Sequence, residues 1–249
     1  MKILILLFAL LVSAPALGQE LSDADRARQL LDNTDDQFRG EASKALMTMH
    51  VKAERWERQL SIQVWTKGED KSLMVITAPA KEAGTATLKV DKNIWNYLPK
   101  IDRTMKVPSG MMSGSWMGSH FSNDDLVKES RMADDYTYSI TGRPTGGEGT
   151  WVVECQPKPE APVVWGKVVV TVDAKTELTQ SVTYWDEGGA LKRTMEFRDV
   201  KEVGGRLMPT TMRLLPADKP DEFTEIRYEE VDFNVQLADD AFTLQALKR

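Results

Sequence analysis

Along most of this chain apolar and polar residues alternate with a period of two. From Ala45 the odd positions are apolar (Ala45, Met47, Met49, Val51, Ala53) and the even ones mostly polar (Thr48, His50, Lys52, Glu54). That is a strand with one buried face. Glu57 to Thr66 repeats the pattern with Leu60, Ile62 and Val64 inward, and Ser72 to Ala78 is a nearly continuous apolar run stopped by Pro79. Thr85–Val90 and Asn93–Leu98 continue the series, joined by Asp91-Lys92, with Trp95 and Tyr97 in the phase assigned to the buried face. Strands resume at Asp135–Thr141, Thr150–Gln156, Val163–Val172, Glu177–Asp186, Leu191–Val200, Pro209–Leu215 and Glu222–Tyr228. Glycine, proline and aspartate clusters mark short turns between them, so sequence neighbours are expected to pair antiparallel.

One helix precedes the strands. Over 22–39, Ala24, Ala27, Leu31, Thr34 and Phe38 recur at three- and four-residue steps, Ser22 or Asp23 offers a cap, and Gly40 sits where a helix is expected to stop. With so little helix, a sheet this large cannot be covered on both faces. The expected fold is mostly β: one domain, 19–249, built on a curved antiparallel half-barrel with the N-terminal helix and a lid over its concave face. A small barrel filled by its own side chains is the competing packing.

One stretch breaks the alternation. Met105 to Leu126 reads MKVPSGMMSGSWMGSHFSNDDL: four methionines, Trp116 and Phe121 on a glycine- and serine-rich backbone. Flexible apolar side chains on a pliant backbone suit a surface that repacks around a variable apolar ligand. Strand phase and this stretch together nominate a ligand-binding set: Met47, Met49, Val51, Leu60, Ile62, Val64, Trp95 and Tyr97 on strands, with Met112, Trp116, Met117 and Phe121 on the lid. A slip of one residue would move any strand's set to the other face.

Composition narrows the function. The net charge is -6 and no basic run occurs, which argues against nucleic acid as a partner and against adsorption to anionic headgroups. Cys155 is the one cysteine, so neither an internal disulfide nor a cysteine metal cage can form. Lys2, the apolar run Ile3 to Val12 and Ala16-Leu17-Gly18 have the order of a cleaved signal peptide, residues 1–18, ending before Gln19. The run is too short to span a bilayer, and a short N-terminal anchor is the alternative. No cysteine follows it for lipid attachment. The mature protein is expected to be exported, soluble and without a lipid anchor, and to be a monomer.

Enzyme signals are weak. His50 lies on a polar strand face. His120 lies near Ser115, Ser119, Ser122, Asp124 and Asp125, but a triad is defined by geometry across elements, and no G-x-S-x-G elbow surrounds any serine. Neither a metal-ligand spacing nor a cofactor motif is present. No catalytic residue, metal or cofactor is therefore expected.

The chain resembles the LolA-like outer-membrane lipoprotein-sorting proteins, in the branch associated with RND/MMPL-type transporters. Ser115-Trp116-Met117-Gly118-Ser119-His120-Phe121-Ser122-Asn123-Asp124-Asp125-Leu126 is similar to a family pattern of the form MGSDFSYEDL. Pro79 with Gly84-Thr85-Ala86, Ile94 to Pro99 with Arg103 and Met105, Gly205 with Pro209, and Asp239 to Thr243 add to the resemblance. The chain departs from the pattern at His120, where the family usually has Asp, and at Asn123 and Asp124, where Tyr and Glu are commoner. The resemblance implies a periplasmic carrier of lipid or lipoprotein acyl chains, moving them toward the outer membrane, with an inner-membrane RND/MMPL-type transporter as partner. Such a carrier has a physical reason to exist. Each buried CH₂ contributes about 0.8 kcal/mol, so a sixteen-carbon chain holds on the order of 12 kcal/mol against entering water. An envelope sensor on the same scaffold and a lipid-acting hydrolase are the alternatives.

Overall fold

The computed structural model describes residues 21–127 and 131–248; the expected signal peptide lies outside the described residues. Helix α1 spans Asp23–Asp36, with the Ser22 side chain accepting a hydrogen bond from the Asp25 backbone N–H. It ends before Gly40, with Gln37 as its still-helical C-cap. The expected glycine stop is therefore not used.

Thirteen strands follow: β1 (Ala42–Ala53), β2 (Trp56–Lys67), β3 (Lys71–Ala78), β4 (Ala86–Val90), β5 (Asn93–Leu98), β6 (Arg103–Lys106), β7 (Tyr136–Gly142), β8 (Thr150–Pro157), β9 (Lys167–Asp173), β10 (Thr179–Trp185), β11 (Leu191–Val203), β12 (Arg206–Pro216) and β13 (Phe223–Asp232). All belong to one open antiparallel sheet, in the order β6-β5-β4-β3-β2-β1-β13-β12-β11-β10-β9-β8-β7. The sheet is two consecutive meanders, β1 to β6 and β7 to β13, joined along a seam where β1 pairs with β13. Strand β6 escapes the alternation pattern because it is a four-residue edge strand with no buried position.

Strands β6 and β7 are consecutive in the chain yet sit at opposite edges of the sheet. The described parts of the connection between them, residues 107–127 and 131–135, pack Trp116, Phe121, Met132 and Ala133 on the concave face. They contain two single-turn helices (Ser109–Met111 and Trp116–Gly118), α2 (Asn123–Val127) and α3 (Met132–Asp135). The connection carries all but the first two residues of the Met/Trp stretch of the sequence, and it is the lid.

Cross-strand pairing carries one row of side chains across the concave face: Val153 opposite Val170, Val170 opposite Val182, Val182 opposite Met195, Met195 opposite Leu214, Leu214 opposite Thr224 and Thr224 opposite Val51. Helix α1 buries Ala27, Leu30 and Leu31 against the β7–β10 side of that face. The lid buries Trp116 and Phe121 against the β1–β3 side. The convex face of β3 to β5 is covered as well, by single-turn helices at Asp239–Phe242 and Ala246–Lys248 that bury Phe242, Ala246 and Leu247 against Leu73, Ala86 and Leu88. Cys155 lies fully buried on β8 beneath α1.

Candidate functional site

Between the lid and the sheet lies an apolar cavity of about 350 Å³. Its floor is Met47, Val64, Met74, Met195, Met212, Ile226 and Tyr228, and its roof is Trp116, Phe121 and Leu126 from the lid. Four methionines in one wall give it side chains that adapt at low cost. Both competing packings are thus present in different places. Around Met49, Val51, Leu60 and Ile62 the concave face is solid, with all four side chains fully buried. Toward Met47, Met195 and Met212 it is hollow.

Of the nominated residues, Met47, Val64, Trp116 and Phe121 line the cavity. Met49, Val51, Leu60 and Ile62 share its face and form the packed base beside it. Met117 packs against the same cluster from its rim and also borders an outer cleft with Arg58 and Glu82. Met112 is half-buried outside the cluster, where its carbonyl accepts the Asp124 backbone N–H at 2.8 Å. Trp95 and Tyr97 are corrected: they point to the convex face and pack in the cluster of Phe242 and Leu247. Their neighbour Asn96 holds the concave position and accepts from the Thr87 hydroxyl at 2.8 Å. Strand β5 is covered on both faces, so its aromatic phase did not mark the ligand side.

At its end next to β7 the lid is held by Arg131, which donates to Asp36 and Glu69; over the cavity, among the described residues from Ser115 to Asp125, three fastenings matter. The Trp116 indole N–H donates to Thr87 Oγ1 at 3.2 Å, and its ring is 2% exposed. The turn that presents it uses positive φ at Met117 (49°) and Gly118 (67°), and a Cβ on Gly118 would press on Arg58 at 3.2 Å. The second fastening is His120. Its backbone N–H donates to Thr224 Oγ1 at 3.0 Å, its Nδ1 lies 2.8 Å from the same oxygen, and its Nε2 lies 2.9 Å from Glu222 Oε2. An ionised carboxylate only accepts, so Nε2 carries a proton. The hydrogen bond from His120 holds the Glu222 carboxyl below the usual carboxylate range. This Thr-His-Glu array has the connectivity of a nucleophilic triad, but the Thr224 side chain is fully buried. A nucleophile must reach its substrate, so the array is a tether between lid and β13.

The third fastening is charged. Ser122 and Asp125 form a capping box at the start of α2: the Ser122 N–H and hydroxyl both donate to Asp125 Oδ2, at 2.8 and 2.9 Å, and the Asp125 N–H donates to Ser122 Oγ at 3.2 Å. The same carboxylate takes a bidentate pair from Arg193 of β11, Nη1 to Oδ2 at 2.8 Å and Nη2 to Oδ1 at 2.6 Å. The guanidinium lies over the rings of Trp165 and Tyr184, 4.6 Å from each centroid. Burial disfavours both charges, yet the mutual hydrogen bonds prevail, leaving the Asp125 carboxyl below and the Arg193 guanidinium above their usual ranges. Burial also pushes the phenols of Tyr184 and Tyr228 up to about 12, so both are neutral. Arg193, Asp125, Trp165 and Tyr184 all line the cavity, and none was nominated from sequence. A signal existed: Arg193 shares the odd phase of β11 with Met195 and Phe197, so it had to face the same way as they do.

A family model described as that of an uncharacterized protein matches residues 68–249. The chain belongs to that family. Its fold is that of the LolA-like lipoprotein-sorting proteins. It is similar to a DUF1329 family protein from Desulfovibrio piger (23% identity, TM-score 0.79, covering 91% of this chain and 100% of that one). It is similar also to a putative outer membrane lipoprotein-sorting protein domain from Vibrio parahaemolyticus (23%, 0.74, covering 91% and 98%). A LolA superfamily protein from Nitrosomonas europaea matches at 20% identity and TM-score 0.71, covering 91% and 100%. No curated protein matches the sequence. No helix of the described residues is long and apolar enough to cross a membrane, and the described residues contain no cluster of three metal-ligating side chains.

Proposed function

We propose that the protein is a periplasmic carrier, or the accessory of an inner-membrane RND/MMPL-type transporter, that shelters an acyl chain of a lipid or lipoprotein on its way toward the outer membrane. The observation that supports this reading is the methionine-rich cavity under a lid fastened by a few polar contacts. Capacity follows from volume. A cavity of roughly 150 Å³ takes a six-carbon benzene, so by proportion the 350 Å³ here takes a chain of roughly fourteen carbons. The closed state thus holds one chain, and a load with several chains requires the lid to lift. Native mass spectrometry of the exported protein, before and after delipidation, tests the reading. Co-purified lipid, and rebinding of the neutral probe N-phenyl-1-naphthylamine after its removal, are the expected results. A protein that carries no lipid and leaves the probe dark would sink it.

A further inference from the structure

The cavity lining is mostly apolar but includes one charged pair, whose cation belongs to the sheet. Trp165 and Tyr184 hold the Arg193 guanidinium from the sheet side. Its carboxylate partner, Asp125, comes from the lid. Closing an apolar lid needs no ion pair, and a buried pair is seldom a net gain in stability over apolar packing. The two halves of the pair also differ in what they would lose on separation. Asp125 keeps its capping bonds to Ser122 and is the more exposed partner, whereas Arg193 remains stacked on Trp165 and Tyr184 with its Nε already lacking an acceptor. An arginine fixed in place, facing a carboxylate that can leave, is an anion site whose occupant is exchangeable.

We propose that Arg193 is the headgroup anchor of the cavity: it binds the single anionic head, carboxylate or phosphate, of a one-chain amphiphile, and Asp125 holds that place while the site is empty. The proposal rests on the acyl-chain reading above and adds to it the charge of the cargo's head. The apolar floor sets chain length, Arg193 sets head charge, and release of Asp125 frees the lid beside it when cargo enters.

The test measures displacement of N-phenyl-1-naphthylamine from the delipidated full chain at pH 8 by tetradecanoate, tetradecyl phosphate and tetradecanol. The wild-type protein is expected to prefer at least one of the two anions over the alcohol by about tenfold or more, the scale of hydrogen bonds to a charged group. Preference for the acid points to free fatty acid as the source, and preference for the phosphate to a lipid headgroup. Arg193→Gln should bring the anions down to the alcohol. Asp125→Asn, which removes the competing charge and leaves an amide in its place, should tighten the anions and not the alcohol. Equal binding of all three ligands by the wild type overturns the anchor while leaving the acyl-chain reading standing. So does an equal gain for all three in Asp125→Asn, because that is how a plain latch behaves. If none of the three displaces the probe, the acyl-chain reading falls, and the anchor with it.

Discussion

Replacing Trp116 by alanine separates a lid from a core. The side chain is 2% exposed and packs in the cluster of Met47, Ile62 and Ile76. Truncating a fully buried aromatic costs about 3–5 kcal/mol when the loss falls on global unfolding. For a domain of this size that is a drop of about 6–20 °C in melting temperature. The lost indole bond adds little, because Thr87 Oγ1 still donates to Asn96. A lid that opens on its own cannot lose more than its own closing free energy, so the effect must saturate. Trp116→Ala should therefore admit protease within 107–127 at temperatures where the sheet is intact. Adding Phe121→Ala, the other buried lid aromatic, should lower the melting temperature little further. Leu31→Ala under α1, fully buried in the other cluster, should add its own 2–5 kcal/mol or so in full. Calorimetry and limited proteolysis read both effects. If Trp116→Ala and Phe121→Ala add in full, and cleavage appears only at global melting, the connection is core and not lid.

Three further outcomes follow from the same geometry. The Asp125 and Glu222 carboxyls are both held below the usual range by their partners, so their fastening is complete above the unfolded pKa and is lost as pH falls through the folded one. Tryptophan emission should hold steady through neutral pH and report lid loosening only below about pH 4. Leu247→Ala, at a fully buried convex-face position, should cost about 2–5 kcal/mol of stability and leave probe affinity unchanged; weakened probe binding would place the site on the wrong face. Met74→Trp should fill the floor beneath the lid and reduce probe affinity by about tenfold, roughly the loss of two buried methylenes. Unaltered affinity would mean the probe binds elsewhere.

The strand series was legible because the period-two pattern is a property of one buried face, and β1 and β2 show it cleanly in Met47, Met49, Val51, Leu60, Ile62 and Val64. The same logic failed at β5. Trp95 and Tyr97 are apolar because the distant residues Phe242 and Leu247 cover the convex face there, and no local pattern reports a cover that arrives from the end of the chain. The lid was visible as an interruption, and its Ser122-Asp125 cap could be read from spacing. The charged pair in the cavity lining was hidden for another reason. Asp125 and Arg193 come from elements far apart in sequence, and each alone has the look of a solvated charge. Phase assigned Arg193 to the inner face, but only the tertiary pairing gives that placement a meaning.

The seam between β1 and β13 has a consequence for how the molecule is made. Each meander can assemble from neighbouring hairpins, with short loops to close. The seam pairs Met47 with Tyr228, and so waits until both meanders are present. Such non-local pairing is the slow part of β-sheet folding. Until it occurs, β1 and β13 are both open edges, prone to pairing with the wrong strand. The lid spans the outer edges of the two halves and can settle only when the seam has set their separation. The cavity draws its floor from strands of both meanders, so it cannot be complete before the seam has formed.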